Sequence, residues 1–262
     1  MKTLIFTNLK GGCGKTTSAL SVGAGLYRHG FKVLLVDTDA QGHLSIASGA
    51  IPDENDPTIY EVLKGRATAA DAIRTTPGGY DILPSDIRLS GADIELASAA
   101  GRDFILREAL STVAKRYDYA VIDSPPNLGV ITLMGLTAAD GVIIPLNSEY
   151  LGVDGVAQLR NTANIVKRRL NPKLKITGIL LTFYDARTNT ARKTEAQINE
   201  GLPGKLFETK ITRCNPLAKA PETGRDIYEF KPASKAKKAI EQYTALTEEV
   251  ISRTTRAKRT HS

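Results

Sequence analysis

The residues able to do chemistry fall in three short segments of this 262-residue chain, each placed where an apolar run ends. The first is Gly11-Gly12-Cys13-Gly14-Lys15-Thr16-Thr17, which follows the run 4–7 and opens a helical pattern. Glycines let a backbone approach an anion, and the amides of such a loop and of the helix start point at it. In that setting Lys15 reaches the β- and γ-phosphates of a nucleotide, and the Thr16 hydroxyl is placed to bind Mg2+. A plain glycine turn before a helix requires neither the lysine nor the hydroxyl in register. The second segment, Asp37-Thr38-Asp39, closes Leu34-Leu35-Val36, and two carboxylates spaced by two on an extended chain point to one side. Its plainer reading is an acid pair capping the next helix. The third is Tyr119-Ala120-Val121-Ile122-Asp123, followed by Ser124-Pro125-Pro126. An apolar strand ending in Asp says little alone; with the glycine loop upstream, Asp123 reads as the acid that holds Mg2+ through water opposite Thr16.

A parallel sheet is needed to bring these segments together. Apolar, β-branched runs at 4–7, 32–36, 80–83, 119–122, 141–145 and 175–182 are separated by helical patterns at 16–28, 102–116, 155–169 and 234–253. This spacing predicts an α/β fold, a single domain with a mostly parallel twisted sheet and helices on both faces. Acids at the C-terminal ends of parallel strands then lie where such open sheets bind ligands. The domain is expected over 1–252, with a basic tail over 253–262. The stretch 51–76, carrying Pro52 and Pro57, is expected to be an irregular surface excursion.

Composition narrows the function classes. Hydrophobic residues at 42% and charged residues at 24% exclude a disordered chain. Residues 1–159 hold 13 Lys and Arg against 18 Asp and Glu, net −5; residues 160–262 hold 22 against 10, net +12. The basic character belongs to the second part and points to a polyanion, nucleic acid or an acidic membrane, with a solvated basic face as the plainer alternative. Two cysteines, Cys13 and Cys214, make no disulfide framework and lack metal-ligand spacing, as expected in a reducing compartment. Cys13 sits at a helix start, which favours the thiolate, though a small loop side chain is the simpler reading. No run reaches the ~18 apolar residues of a membrane span, and the strand at 2–7 leaves no room for a signal peptide. A cytoplasmic protein is expected.

The loop departs from G-x-x-x-x-G-K-[ST], which would place glycine at Leu9. Lys10 instead begins Lys10-Gly11-Gly12-Cys13-Gly14-Lys15-Thr16, which resembles the deviant Walker A motif, K-G-G-x-G-K-[ST], of the ParA/MinD family of P-loop ATPases. The resemblance implies a nucleotide held by Lys10, Gly11, Gly12, Cys13, Gly14, Lys15, Thr16, Thr17 and Arg213. It implies that Lys10 crosses a dimer interface to the phosphates bound by the other subunit, so ATP binding makes a sandwich homodimer. It gives Asp39 the positioning of the attacking water and Asp37 a place in the Mg2+ shell, with Lys10 and Lys15 as catalytic cations. A cation supplied in trans neutralises charge as the γ-phosphate leaves.

Two further stretches look like the ParA/Soj partitioning branch: 139–145 with Glu149-Tyr150, and 178–188, which reads Gly178-Ile179-Leu180-Leu181-Thr182-Phe183-Tyr184 and on to Arg187-Thr188. The resemblance implies an ATP-bound dimer that binds nonspecific double-stranded DNA on the nucleoid. A ParB-like centromere-binding partner stimulates hydrolysis and releases it, so that plasmid, chromosome or other cargo is segregated or positioned. Arg187, Arg192, Lys193, Arg213 and Lys219 lie in or near the family's DNA-contacting segments. Where the branch reads I-P-R-N-V-R-L-S-E-A-P, this chain has Ile211-Thr212-Arg213-Cys214-Asn215-Pro216-Leu217-Ala218-Lys219-Ala220-Pro221. A proline near the adenine pocket and a second arginine are lost, and Lys219 replaces an acid. The runner-up reading is a MinD-like membrane-cycling ATPase, but the end of this sequence has no large apolar residue to anchor an amphipathic helix. A nitrogenase-reductase-like protein needs cluster cysteines that Cys13 and Cys214 do not supply. An amide-forming synthetase on the same scaffold is the remaining class.

Overall fold

The computed structural model describes residues 1–149 and 153–255. Apolar runs become strands because both faces of the sheet are covered. Along β1 (Lys2–Phe6) Ile5 joins one core while Leu4 and Phe6 join the other. After α1 (Lys15–Arg28), β2 (Val33–Asp37) repeats the division: Leu34 and Val36 face one way, Val33 and Leu35 the other. This period-two split explains why the runs are continuously apolar rather than alternating.

Four short helices, α2 (His43–Ala47), α3 (Ile59–Leu63), α4 (Ala69–Ala72) and α5 (Ala92–Glu95), surround β3 (Arg74–Thr75) and β4 (Asp81–Leu83). The chain continues through α6 (Ile105–Val113), β5 (Tyr119–Asp123), α7 (Val130–Ala138), β6 (Gly141–Asn147), α8 (Val153–Arg169) and β7 (Lys175–Thr182). It closes with α9 (Asn189–Gly201), α10 (Asn215–Lys219) and α11 (Ala233–Thr255). The sheet order is β3-β4-β2-β5-β1-β6-β7, parallel throughout except for β3 against β4. Helices α1 and α11 cover one face, with Leu20, Leu26, Tyr243, Leu246 and Val250 buried between them. Helices α6, α7 and α8 cover the other through Leu106, Leu110, Met134, Leu159 and Val166.

Two expectations are corrected. The stretch 51–76 is not irregular throughout: Thr58 with Glu61 and Thr68 with Asp71 form capping boxes that start α3 and α4. The boundary expected at 252/253 is also misplaced, because α11 runs to Thr255. Arg253 does not begin a tail. Its guanidinium donates to the carbonyls of Thr177, Lys205 and Leu206 and pairs with Glu249 at 2.7 Å. The rest of the expected tail, 256–262, and Tyr150 lie outside the described residues. Among the described residues no helix is long and apolar enough to cross a membrane.

Contact between α1 and α11 rests on a missing side chain. A Cβ at Gly25 would lie 2.3 Å from Thr247 Oγ1 and 2.8 Å from the Tyr228 hydroxyl. Gly25→Val is expected to destabilise the fold by about 2 kcal/mol through overpacking. Gly201→Ala, where a Cβ meets nothing within 4 Å, should be neutral or slightly stabilising. Urea unfolding of both variants checks this, and equal midpoints would refute the tight contact.

Candidate nucleotide site

The glycine loop is fixed from both sides by strand ends. Asn8, buried after β1, donates through Nδ2 to the Pro145 carbonyl at 2.6 Å and accepts from the Lys10 amide at 3.2 Å. Thr182, the last residue of β7, donates to the Cys13 carbonyl at 2.9 Å. Gly12 and Gly14 adopt left-handed φ values of 69° and 79°, and Gly14 is the residue from which α1 starts. Only glycine takes these conformations without strain. Lys15 is buried, and its ammonium donates back to the Lys10 carbonyl at 3.2 Å, an acceptor it shares with the Cys13 thiol at 3.3 Å. Burial pushes the Cys13 thiol up, with Lys15 opposing. Desolvation therefore outweighs the helix start, and Cys13 is a packed thiol rather than a reactive thiolate.

The two acids expected from separate segments are cross-strand neighbours. Asp37 and Asp123 stand opposite each other at the ends of β2 and β5, and Asp123 is level with Phe6, the end of β1. Both are wholly buried. Asp37 is satisfied: it accepts from the Ser45 amide and hydroxyl, both at 2.8 Å, and from the Asp39 amide at 3.1 Å. Burial nonetheless pushes it up to about 6. Neither carboxylate oxygen of Asp123 has a hydrogen-bond partner among the described residues. Burial and then the neighbouring Asp37 charge push it well above the usual carboxylate range, with Thr16 and Lys15 opposing. A buried acid pair of which one member is orphaned, beside a lysine and a threonine hydroxyl, fits a hard divalent cation with oxygen ligands. Asp39 is half-buried and accepts from the Gln41 amide at 3.0 Å.

Gly14, Lys15, Thr16 and Thr17 share a cleft of about 570 Å³ with Asp39, Gln41, His43, Ile46, Pro126 and Glu222. A second cleft, of about 330 Å³, lies on the other side of the loop between Lys10, Gly11, Gly12, Cys13, Glu149, Phe183 and Arg213. Arg213 pairs with Glu149 at 2.7 Å and lies over the Phe183 ring, at 5.1 Å from its centroid. Phe183 has φ 51°, an unusual left-handed conformation for a large side chain. The remaining basic candidates are exposed. Arg187 pairs with Asp185 at 2.7 Å, and Arg192 donates to Asn189 at 2.8 Å and to the Arg187 carbonyl at 3.5 Å. Lys193 follows on α9, whereas Lys219 ends α10.

Sequence reasoning assigned no role to Asn8, Ser45, Thr182 or Glu222. Asn8 and Thr182 act through partners more than a hundred residues away, Ser45 reaches back eight residues to Asp37, and Glu222 joins the larger cleft from far along the chain. Asn8 and Ser45 lie close to motifs, just before the glycine loop and just after the acids, but neither belongs to the motif pattern.

Fold and loop together define a P-loop ATPase. A family model described as an AAA domain matches residues 1–176. The sporulation initiation inhibitor protein Soj of Bacillus subtilis is 39% identical over 250 residues, covering 95% of this chain and 98% of that protein. The chromosome partitioning protein ParA of Caulobacter vibrioides is 37% identical over 258 residues, 97% of this chain and 95% of its own. A solved structure named cobyrinic acid a,c-diamide synthase, from Mycobacterium smegmatis with bound ATP analogue and magnesium, superposes with a TM-score of 0.87. It is 34% identical, covering 99% of this chain and 97% of the other. The chain belongs to the ParA/Soj family of chromosome-partitioning ATPases.

The raised Asp37 value carries a sign. Between about pH 4 and 6 the unfolded chain has released a proton that folded Asp37 retains, so stability falls as pH rises through that window. Asp37→Asn should remove about 3 kcal/mol of that fall, two pKa units at ~1.4 kcal/mol each. Urea unfolding of magnesium-free protein across the window checks it, with parallel curves for the two proteins as the contrary result.

Proposed function

We propose that this partition ATPase is a nucleotide-gated DNA switch. It takes ATP with Mg2+ in the larger cleft, closes as a sandwich homodimer through Lys10, and grips nonspecific double-stranded DNA by its basic C-terminal part. A ParB-like centromere-binding partner then stimulates hydrolysis, which opens the dimer and releases DNA. The observation that carries this reading is the Asp123 carboxylate, buried beside Asp37 and near Lys15 and Thr16 with no hydrogen-bond partner among the described residues.

In this mechanism the loop amides and Lys15 hold the phosphates, while Thr16, Asp37 and Asp123 hold the cation. A Mg2+ ion held by those residues would supply charge neutralisation to the triphosphate. Ser45 fixes Asp37 in place. One oxygen of Asp39 is occupied by the Gln41 amide, leaving the other to orient water. Alignment is most of what phosphoryl transfer asks of a protein. Lys10 is exposed, and among the described residues no carboxylate lies within 4.0 Å of its ammonium, as suits a cation offered to a second subunit.

On the DNA side, Arg192, Lys193 and Lys219 have no carboxylate partner among the described residues. Arg187 and Arg213 are engaged in exposed ion pairs, which are weak enough for a DNA phosphate to displace. Arg213 also lines the smaller cleft with Lys10, which supports giving it a share in both proposed roles. A dimer doubles the phosphate contacts, and counterion release makes affinity steep in their number.

The test is binding to a random-sequence duplex with ATP, with ADP and without nucleotide, at two salt concentrations. Tight, salt-sensitive binding only with ATP, lost in Lys10→Ala and Lys15→Ala, is expected. Asp39→Ala should bind DNA with ATP and fail to release it, with hydrolysis lowered by ~100-fold or more, as for loss of an aligning group. Absence of ATP-dependent DNA binding at both salts would overturn the switch and favour an amide-forming role, to which the name of the Mycobacterium smegmatis neighbour points.

A further inference from the structure

We infer that Glu222 binds the nucleoside, accepting hydrogen bonds from the ribose hydroxyls. This rests on the reading that the larger cleft takes ATP. Glu222, an exposed side chain, lines that cleft together with Thr16 and Thr17, although it lies some two hundred residues away in the chain. It belongs to a 3-10 turn, Pro221–Thr223, that immediately follows the basic segment ending at Lys219.

The position of that turn is set by backbone packing. Thr223 donates to the Ala220 carbonyl through its amide at 3.0 Å and its hydroxyl at 2.8 Å, and Ala220 is buried. On the other side Gly224 lies directly against Gly49, just beyond the end of α2. A Cβ on Gly49 would come within 2.6 Å of the Gly224 carbonyl oxygen, and one on Gly224 would sit 3.1 Å from the Gly49 Cα. Both glycines have left-handed φ, 73° and 64°. Two glycines thus clasp the turn to the helix that follows Asp39, and Glu222 is delivered into the cleft by a fixed backbone.

Its chemistry then selects its ligand. An ionised carboxylate accepts hydrogen bonds and donates none. Triphosphate oxygens are acceptors too, so the part of a nucleotide that Glu222 engages has to be a donor. Among the described residues no cation lies within 4.0 Å of it, and Lys15, the ammonium of this cleft, donates to the Lys10 carbonyl. ATP offers only two kinds of donor, the ribose hydroxyls and the adenine amine. A nucleotide with its β-phosphate in the loop passes its α-phosphate and ribose along the start of α1. Glu222 lines the same cleft as that stretch, and the ribose lies nearer the phosphates than the adenine amine does, which favours the ribose as the donor it meets.

Calorimetric binding of ATP, 2′,3′-dideoxy-ATP and 6-deamino-ATP to wild type, Glu222→Ala and Glu222→Gln tests this. Wild type should bind dideoxy-ATP roughly 10-fold more weakly than ATP, the scale of a hydrogen bond to a charged group. Glu222→Ala should bind ATP and dideoxy-ATP alike, with thermal unfolding unchanged, and Glu222→Gln should retain part of the preference through its amide oxygen. A ribose preference that survives in Glu222→Ala overturns the assignment. So does loss of discrimination against 6-deamino-ATP alone, which would move the contact to the base. Failure of wild type to bind ATP any better than Lys15→Ala would instead overturn the nucleotide cleft itself.

Discussion

Two carboxylates are buried side by side at the ends of β2 and β5, and only one has its hydrogen bonds made. Unpaired acids at zero exposure are costly, and the rest of the site is arranged around this cost. Strand order β2-β5-β1 sets the glycine loop next to the acids, because the end of β1 is level with Asp123. Lys15 and Thr16 arrive from the start of α1, and Ser45 arrives from α2 to hold Asp37. Ser45 is held in turn, since its oxygen accepts from the Ser85 amide at 3.0 Å. Thr38 closes the group by donating its amide and hydroxyl to the Asp123 carbonyl. Stability in this region is given up for a concentration of negative charge that a cation can relieve.

The C-terminal part is not a separate basic module beside this site. The stretch from Arg213 to Gly224 begins at the smaller cleft, passes through α10 with Lys219, and ends in the wall of the larger cleft. One short segment therefore touches both sides of the phosphate loop and carries part of the basic surface. Residues proposed to meet a nucleotide and residues suited to a polyanion share a backbone, without a linker that would let them move independently.

Much of this was legible from local chemistry. Gly11 to Thr17, Asp37 and Asp123 announce themselves because loop, lysine, hydroxyl and strand-end acids occur in register, and the strands because both cores demand continuous apolar runs. Helix α7 was not legible: its buried residues Ile131, Thr132, Met134, Gly135, Leu136 and Thr137 leave no polar stripe from which to read a helical period. Asn8, Thr182 and Glu222 matter through partners more than a hundred residues away in two cases and through a cleft in the third. No local pattern encodes such contacts. Arg253 misled for a related reason, since its basic neighbours resemble a tail while its own guanidinium is satisfied by three carbonyls of a distant loop and strand.

Both margins of the sheet are closed by short, irregular means. At one side β3 contributes two antiparallel residues, tied to β4 by Thr75 and Asp81 at 2.7 Å. At the other, the chain around Leu206 runs along β7, exchanging bonds between Ile179, Lys205 and Phe207. Neither margin offers a long open ladder onto which another copy could add a strand. Polymerisation through the sheet is thereby disfavoured, and any contact between copies of the chain falls to side chains and loops.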